Sequence, residues 1–269
     1  ATFESAILGE STKYREELFR HLDGIAIAPV AYSLKEKGIL DFLLKKDSYN
    51  LSEVNKTHNT NEGYLNVALR LLASQGWLNY KVDNKTAEVI ISKNDQSATA
   101  FERTAMYKDV VEFMKISEEF HPRHFDVEQF AVLNRVYKKY VSKAYAASSA
   151  DAAVHAIEAQ VEKHIEGVLV GPMTVFLGMD GMFHKYFMEA SFSADEFHED
   201  PESFQKILDF FTYLGWFEKK NETYRFTNKG LFFARRSSAY GVTVSYIPTF
   251  RRMDELLFGN PLILRSSLP

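Results

Sequence analysis

The sequence contains one pattern twice, and this repeat constrains the fold more than any other feature. The segment that begins at Gly24 reappears at Gly167, an offset of 143 residues (167 minus 24). Glycine, proline, leucine and glycine recur in the same order in both copies. The matched pairs are Gly24 with Gly167, Pro29 with Pro172, Leu34 with Leu177 and Gly38 with Gly181.

Each copy continues with an apolar stripe at helical spacing and a Gly-Trp pair. These downstream features match at an offset of 139 residues (216 minus 77), with Trp77 in one copy and Trp216 in the other. A match in fixed order over about fifty residues indicates one supersecondary unit present twice. The stripes are Leu65, Ala68, Leu69 and Leu72 in the first copy, and Phe204, Ile207, Leu208 and Phe211 in the second.

Local signals predict helices followed by a hairpin in each copy. In the first, we expect an amphipathic helix over 3–22, a separate helix from Gly24 that Gly38 ends in a left-handed conformation, and a helix over 62–75 capped by Asn61. Strands on either side of a turn at 83–85 complete it. This is the winged-helix plan. The predicted fold is mainly α with small β-hairpins, as tandem winged-helix-like repeats bridged by helices.

The same signals divide the chain into four segments. Residues 1–98 form the N-terminal helix plus the first winged-helix-like unit, and 99–166 form a helical linker. Residues 167–240 form the second unit, and 241–269 form a closing helix. We expect that closing helix to lead into a C-terminal domain that these residues do not include. The apolar side of the first helix packs on its own chain or forms a dimer contact.

Composition excludes several classes of protein. The 269 residues carry a formal net charge of −4 and contain no cysteine, which excludes disulfides, thiolate zinc sites and thiol nucleophiles. No apolar run approaches the ~18 residues of a membrane span, and no signal-peptide pattern opens the chain. We therefore expect a soluble, cytoplasmic protein that binds neither a membrane nor nucleic acid.

The predicted recognition helices support the expectation about nucleic acid. A helix that reads DNA presents basic and amide side chains to phosphates and base edges. Helix 62–75 offers Glu62 and Arg70, and helix 202–213 offers Glu202, Lys206 and Asp209. Neither face is basic, and the carboxylates repel phosphate. A winged-helix transcriptional regulator stays open as an alternative.

Glycines and histidines do not assemble a convincing catalytic, cofactor or metal site. Gly178 and Gly181 lie on the repeated helical element, whereas a nucleotide or methyl-donor loop follows a strand. His155 and Glu158 have a spacing that can ligate metal, but no third ligand converges on them. We predict no catalytic, cofactor-binding or metal residue here. A second group of possible metal ligands lies close together in the sequence: His121, His124, Asp126 and Glu128. Pro122 between the two histidines favours an irregular turn over a fixed metal-binding face.

Two arginine pairs remain, Arg235-Arg236 and Arg251-Arg252. Most such pairs are solvated helix ends. The alternative is a patch for an acidic partner protein, which charge would steer into place.

The order of these motifs resembles one family. GIAIAPVAYSLKEKGILDFL, then ALRLLASQGWL, then FFTYLGWFEKK, then SYIPTFRRMDELLFGN is similar to the N-terminal region of methyltransferases that begin polyketide synthase assembly lines, of the apratoxin and saxitoxin type. The resemblance runs over nearly the whole chain, and residues 245–260 are its most specific part. The linker matches poorly.

The resemblance implies a role beside an enzyme. In the family, this region precedes a core that binds S-adenosylmethionine and a metal and methylates malonyl units on an acyl carrier protein. We therefore expect a non-catalytic adaptor or lid with no cofactor of its own. Its partners would be an adjacent methyltransferase or GNAT-like domain and the carrier protein, with a homodimer left open. Tyr246 and Arg251, in the most family-like stretch, are the candidate substrate or partner contacts.

Two further alternatives remain. Winged-helix domains of small-molecule O-methyltransferases have a similar order of elements, and there they dimerise and cover the substrate pocket. An independent enzyme with a site between the repeats is the other.

Overall fold

The computed structural model describes residues 3–117, 127–179 and 181–259. Within these residues the first half of the chain contains seven helices and a small sheet. A single turn of 3-10 helix, Thr104–Tyr107, joins the fifth and sixth of them. The elements are α1 (Phe3–Glu36), α2 (Ile39–Leu43), β1 (Ser48–Asn50), α3 (Leu51–His58), α4 (Glu62–Ser74), β2 (Asn79–Val82), β3 (Val89–Ser92), α5 (Ser97–Arg103), α6 (Lys108–Ile116) and α7 (Val127–Val141).

The second half repeats this order: a long helix, a short helix, a 3-10 turn (Ala194–Glu196), a helix of thirteen residues and a hairpin. Four short helices follow the hairpin and complete the described chain. The elements are α8 (Ala152–Met179), α9 (Met182–Tyr186), α10 (Pro201–Tyr213), β4 (Phe217–Lys220), β5 (Thr223–Phe226), α11 (Asn228–Ala234), α12 (Ser237–Val244), α13 (Ile247–Phe250) and α14 (Met253–Phe258). The predicted mainly α fold class is confirmed.

The two sheets are related in the same way. The first is antiparallel with the order β1-β3-β2, and Tyr49 of β1 pairs with Ile91. The second contains β4 and β5, and an isolated bridge adds Phe192 beside Tyr224 of β5. Phe192 lies 143 residues after Tyr49 (192 minus 49), so the bridge stands where β1 stands in the first copy.

Glycines end corresponding helices in both copies. Gly38 and Gly181 have φ values of 77° and 80°, and Gly76 and Gly215 have φ values of 85° and 84°. Glycine adopts this left-handed conformation at lower cost than residues that carry a Cβ, so it is the favoured residue at these helix ends. The predicted role of Gly38 is confirmed. The cap at Asn61 is also confirmed, because its side chain accepts a hydrogen bond from the backbone N–H of Tyr64 at 3.1 Å.

Each predicted stripe forms a buried helix face. All eight stripe residues are fully buried, as are Trp77 and Trp216. The Trp216 ring stacks on Phe233 with ring centroids 4.8 Å apart. Burial of such side chains stabilises a fold by roughly 1.5–3 kcal/mol each. The stripes on α4 and α10 therefore hold each copy together.

One predicted helix boundary is wrong. The expected helices over 3–22 and from Gly24 are one continuous helix, α1, and the stretch before Gly167 likewise continues through it in α8. Pro29 and Pro172 lie inside these helices. Proline and glycine usually mark helix ends because they weaken the backbone hydrogen-bond ladder. Here the packing of α1 and α8, described below, requires glycine inside both helices.

The described residues cluster in two compact units. The first draws on Ala1–Ile25, Glu112–Tyr145 and Lys163–Tyr246, and the second on Ala26–Val111, Ala146–Glu162 and Ile247–Pro269. This grouping does not test the four predicted segments, which stay a prediction. Within the described residues, none of the helices combines the length and apolar character needed to cross a bilayer.

Candidate functional site

The candidate site lies where α1 and α8 cross inside the first unit. A Cβ built on Gly24 would lie 2.4 Å from the backbone of His164, and one built on Gly167 would lie 2.3 Å from the backbone oxygen of His21. Because glycine has no Cβ, these positions let the two backbones touch. His21 and His164 are themselves related by the offset of 143 (164 minus 21), and both are fully buried. The crossing therefore places two related histidines in the protein interior.

His21 belongs to a buried group of polar side chains from four helices. Its Nε2 forms a short hydrogen bond with Glu166 Oε2 on α8, and its Nδ1 lies 2.7 Å from the hydroxyl oxygen of Tyr240 on α12. The hydroxyl of Tyr140, on α7, donates to Glu166 Oε1 at 2.5 Å. One carboxylate and one imidazole thus join helices that are far apart in the sequence.

A second carboxylate and two lysines complete this group. Lys163 Nζ lies 3.0 Å from Glu166 Oε1 and 3.2 Å from Glu17 Oε1. Lys229 Nζ lies 3.2 Å from the same oxygen of Glu17. Two carboxylates are therefore matched by two ammonium groups. We call the set the glutamate–histidine cluster; its members are Glu17, His21, Tyr140, Lys163, Glu166, Lys229 and Tyr240.

Burial and charge act in opposite directions on the central acid. Burial raises the pKa of Glu166, because a buried carboxylate loses its hydration. His21, Lys163 and the Tyr140 hydroxyl outweigh burial and hold the pKa of Glu166 well below its usual range. Burial lowers the pKa of Lys163, but Glu166 and Glu17 raise it by more, to above the usual lysine value. Both groups are therefore charged near neutral pH.

His164 has a different electrostatic environment from its counterpart. Burial lowers the pKa of His164 to about 3, with further lowering by the neighbouring Arg20 and His21. The imidazole is therefore neutral at pH 7. The equivalent histidine, His21, instead contacts Glu166 and Tyr240, so the two copies have diverged at the crossing.

Other positions of the repeat have diverged as well. Gln160 corresponds to Glu17 (160 minus 17 is 143), and its side-chain oxygen accepts a hydrogen bond from the indole N–H of Trp77 at 3.0 Å. Exposed Asp23 corresponds to buried Glu166. One position of the repeat therefore carries the charged cluster, and the other carries an amide and a neutral imidazole.

The cluster has the ligand types of a metal site but is already charge-balanced. One ligand atom from each of Glu17, His21 and Glu166 lies within 4.8 Å of the others, and carboxylate and imidazole are both zinc ligands. The same carboxylate oxygens contact Lys163 and Lys229, which supply the positive charge that a cation would bring. Paired buried charges of this kind suit the joining of helices in one fixed arrangement.

Tyr246 and Arg251, the predicted contact residues, lie outside this cluster. Tyr246 follows α12 and is 56% exposed. Arg251 is partly buried between α13 and α14, and it belongs to the second unit whereas Tyr246 belongs to the first. Their role as substrate or partner contacts stays a prediction.

The histidine pairs weighed in the sequence have other surroundings. His121, His124 and Asp126 lie outside the described residues, and Glu128 is exposed. His155 is exposed as well. Glu158 is buried, accepts a hydrogen bond from the backbone N–H of Ser149 at 2.9 Å and pairs with Arg103 at 3.0 Å. Glu158 thus fixes the loop that precedes α8.

The arginine pairs also differ in their contacts. The Arg236 guanidinium lies 3.6 Å from the centre of the Phe232 ring, and Arg235 beside it is exposed. Arg252 forms an ion pair with Glu255 at 2.8 Å, within the same helical turn. Arg235-Arg236 is therefore the pair that is better placed to meet an acidic partner.

Sequence analysis missed the glutamate–histidine cluster, although one signal pointed to it. The offset of 143 that relates Gly24 to Gly167 also relates His21 to His164. Two equivalent histidines, each three residues before a repeated glycine, mark the crossing. The repeat does not identify the partners of His21, since Glu166 and Tyr240 lie 145 and 219 residues further along the chain.

Comparison with known families gives two matches. The AprA N-terminal domain matches residues 14–80, and the AprA winged helix domain matches residues 166–260. Together they cover more than half of the chain, and each contains one copy of the Gly-Trp pair. Glu17 and His21 lie in the first matched range, and Glu166 and Tyr240 lie in the second. No curated protein matches the sequence.

Proposed function

We propose that this chain, which carries the N-terminal and winged-helix domains of the AprA family, is a non-catalytic adaptor or lid region of a polyketide synthase loading module. It would hold a methyltransferase core, or a GNAT-like domain, in position to act on an acyl carrier protein. The core would bind S-adenosylmethionine and a metal, and the methyl group would go to a malonyl unit on the carrier.

The closed state of the glutamate–histidine cluster is the observation that carries this proposal. A general acid or base must reach its substrate within hydrogen-bonding distance. Here His21 and Tyr240 are fully buried, and the Glu166 side chain is 2% exposed. Their polar atoms contact one another across three helices, α1, α8 and α12. Such a cluster fixes the position of helices, which an adaptor requires, and leaves its acids and bases inaccessible to a carrier-bound substrate.

The sheets of the described residues also support a non-catalytic role. A Rossmann-like core binds its cofactor at the carboxyl ends of parallel strands, beside a glycine-rich turn. The strands within the described ranges form two small antiparallel sheets. S-adenosylmethionine would therefore bind to a different domain.

The packing of α10 disfavours the alternative of a DNA-binding regulator. In a winged helix, α10 stands at the position of the recognition helix. Part of α10 is covered, since Phe210 is 3% exposed and stacks on Tyr137 of α7 with ring centroids 3.8 Å apart. The exposed part carries the carboxylate of Glu202 as well as the ammonium of Lys206, whereas a recognition helix needs an open, basic face to enter the major groove. A mobility-shift titration at low salt checks this, and salt-dependent DNA binding would favour the regulator.

The alternative of a dimerisation domain has one observation in its favour. Leu8 and Phe19 on α1 are 68% and 51% exposed, and their spacing of eleven residues puts them on one face of the helix. Sedimentation velocity distinguishes the two hypotheses. A dimer that Phe19→Glu converts to a monomer would support the dimerisation function, whereas a monomer at all concentrations would exclude it.

A direct assay tests the non-catalytic proposal. The chain is incubated with S-adenosylmethionine and malonyl-carrier protein, and methylated product is measured by mass spectrometry. The proposal predicts no product above a control that lacks the chain. Turnover by the chain alone would contradict it.

A further inference from the structure

A groove of about 430 Å³ lies between α7 and α10 in the first unit. Its volume falls in the range of sites that hold small molecules, roughly 300–1,000 Å³. We call it the α7–α10 groove. Its lining includes Tyr137, Lys138, Val141, Lys206, Phe210 and Tyr213.

Aromatic and aliphatic side chains give the groove its apolar character. The rings of Tyr137 and Phe210 are stacked, with an angle of 3° between their planes, and both are buried. Val141 and Tyr213 are 42% and 45% exposed. Two large apolar side chains that are half-exposed beside a buried aromatic pair form a surface that gains stability when an apolar ligand covers it.

Tyr137, one of the lining residues, also carries a hydroxyl group. It is buried and has no hydrogen-bond partner among the described residues. Burial also raises the pKa of Tyr137, so the hydroxyl stays protonated and remains a donor. Buried polar groups without a partner are rare in proteins, and each one needs a reason.

The charged residues of the groove leave it with an excess of positive charge. Neither Lys138 nor Lys206 lies within ion-pair distance of a carboxylate of the described residues; the Lys206 ammonium lies 5.5 Å from the centre of the Phe130 ring. The carboxylate of the groove, Asp209, already contacts Lys219 at 3.0 Å and accepts a hydrogen bond from Tyr224. Two ammonium groups are therefore available to an anion.

We propose that the α7–α10 groove binds a small carboxylic acid with an apolar body. The apolar part would cover Val141 and Tyr213, and the carboxylate would lie between Lys138 and Lys206. This inference does not depend on the proposed adaptor function, since the groove uses neither the glutamate–histidine cluster nor a partner domain.

Fluorescence titration tests the proposal on the whole chain. The aromatic anion 1-anilinonaphthalene-8-sulfonate reports occupancy, and decanoate and decan-1-ol compete with it. We expect saturable binding, and we expect decanoate to displace the dye more than about tenfold more effectively than decan-1-ol, because its carboxylate meets two partly exposed lysines that each contribute up to about fivefold. Lys206→Ala should weaken decanoate about fivefold and change decan-1-ol less than about twofold.

A matched pair of variants separates the groove from other apolar surface. Val141→Trp fills the groove. It should weaken the binding of decanoate and of decan-1-ol by about tenfold or more, because the apolar part of each ligand can no longer cover the groove. Val242→Trp places the same ring at an exposed valine outside the groove, where Val242 is 65% exposed, and should leave binding unchanged.

Three results would overturn the proposal. The first is dye binding that Val141→Trp leaves at the wild-type level. The second is equal displacement by decanoate and decan-1-ol, which would remove the role of the lysines. The third is a dimer that Val141→Trp dissociates in sedimentation velocity, which would make the groove an interface between two copies of the chain.

Discussion

At the scale of single residues, Glu166 holds the glutamate–histidine cluster together. Its carboxylate contacts His21 through Oε2, Tyr140 through Oε1 and Lys163 through both oxygens, and these three residues come from three different helices. In an apolar interior, a charged group is tolerated only when its partners remain in place. The loss of one partner leaves the others buried and uncompensated.

Glu166→Gln should therefore destabilise the protein by roughly 3–5 kcal/mol, the cost of breaking a buried ion pair. Urea denaturation at pH 7 measures it. The matched control is Asp23→Asn at the equivalent position of the repeat, where the carboxylate is exposed and the expected change is below about 0.5 kcal/mol. Equal effects of the two substitutions would contradict a structural role for the cluster.

His164 makes the stability depend on pH. Its pKa is about 3 in the folded protein, against roughly 6.5 in the unfolded chain. Between these values the unfolded state binds the proton and the folded state does not. The stabilisation is therefore fully present above pH 6.5 and is lost as pH falls toward 3, by up to about 1.4 kcal/mol per pH unit.

From pH 7 to pH 5 this contribution amounts to about 2 kcal/mol. Between pH 7 and pH 5, the free energy of unfolding of the wild-type protein should therefore fall by about 2 kcal/mol more than that of His164→Gln. Urea titrations at the two pH values measure the difference. His155→Gln, at an exposed histidine, serves as the control and should keep the wild-type dependence. Parallel curves for all three proteins would refute the assignment.

Tyr137 gives a third prediction at this scale. Its buried hydroxyl has no partner among the described residues. Removal of an unsatisfied buried donor recovers the cost of its desolvation, about 1–3 kcal/mol at most. Tyr137→Phe should be neutral or stabilising in thermal unfolding of the ligand-free protein. A clear loss of stability would mean that the hydroxyl has a partner.

At the scale of elements, the contact between α1 and α8 requires glycine. Gly24→Ala would bring a Cβ within 2.4 Å of the His164 backbone, where no side-chain rotation relieves the clash. We expect a destabilisation of at least about 1–3 kcal/mol, the usual cost of overpacking. Gly9→Ala lies on the same helix with nothing within 4 Å of the new Cβ, so it should stabilise α1 by up to about 1 kcal/mol. Chemical denaturation of both variants measures the contrast, and a stabilising Gly24→Ala would disprove the close crossing.

The elements that the sequence predicted correctly have local causes. Gly38 ends its helix because only glycine adopts that left-handed conformation at low cost, and Asn61 begins a helix because its side chain caps a free N–H. Pro29 and Gly24 carry the same local signals, yet α1 runs through both. There the tertiary packing against α8 overrides the local preference, and no local pattern reports it.

The candidate site was predictable in part and for a related reason. The repeat identifies His21 and His164 as equivalent positions, which marks the crossing. It does not identify Glu166, Tyr140 or Tyr240 as neighbours of His21, because these contacts arise where helices from separate parts of the chain meet. The sequence shows that equivalent positions of the repeat carry a carboxylate in Glu17 and an amide in Gln160. Only the structure shows that the carboxylate pairs with lysines and that the amide accepts a hydrogen bond from Trp77.

At the scale of the whole molecule, the two copies of one structural unit differ in their buried polar contacts. One copy places its tryptophan against an amide, and the charged cluster lies with the other. The proposed function assigns this chain to the support of a methyltransferase core, and the cluster to the rigidity that such support requires. Loss of the cluster should therefore reduce assistance to the core.

The most direct measurement of this account is reconstitution of methyl transfer. A methyltransferase core of the proposed kind, without this region, is assayed on malonyl-carrier protein with and without the chain, and the chain is also assayed alone. We predict no product from the chain, a low rate from the core, and a higher rate or a lower KM for the carrier protein when both are present. Product from the chain alone, or a core whose kinetics do not respond to a saturating amount of the chain, would contradict the account.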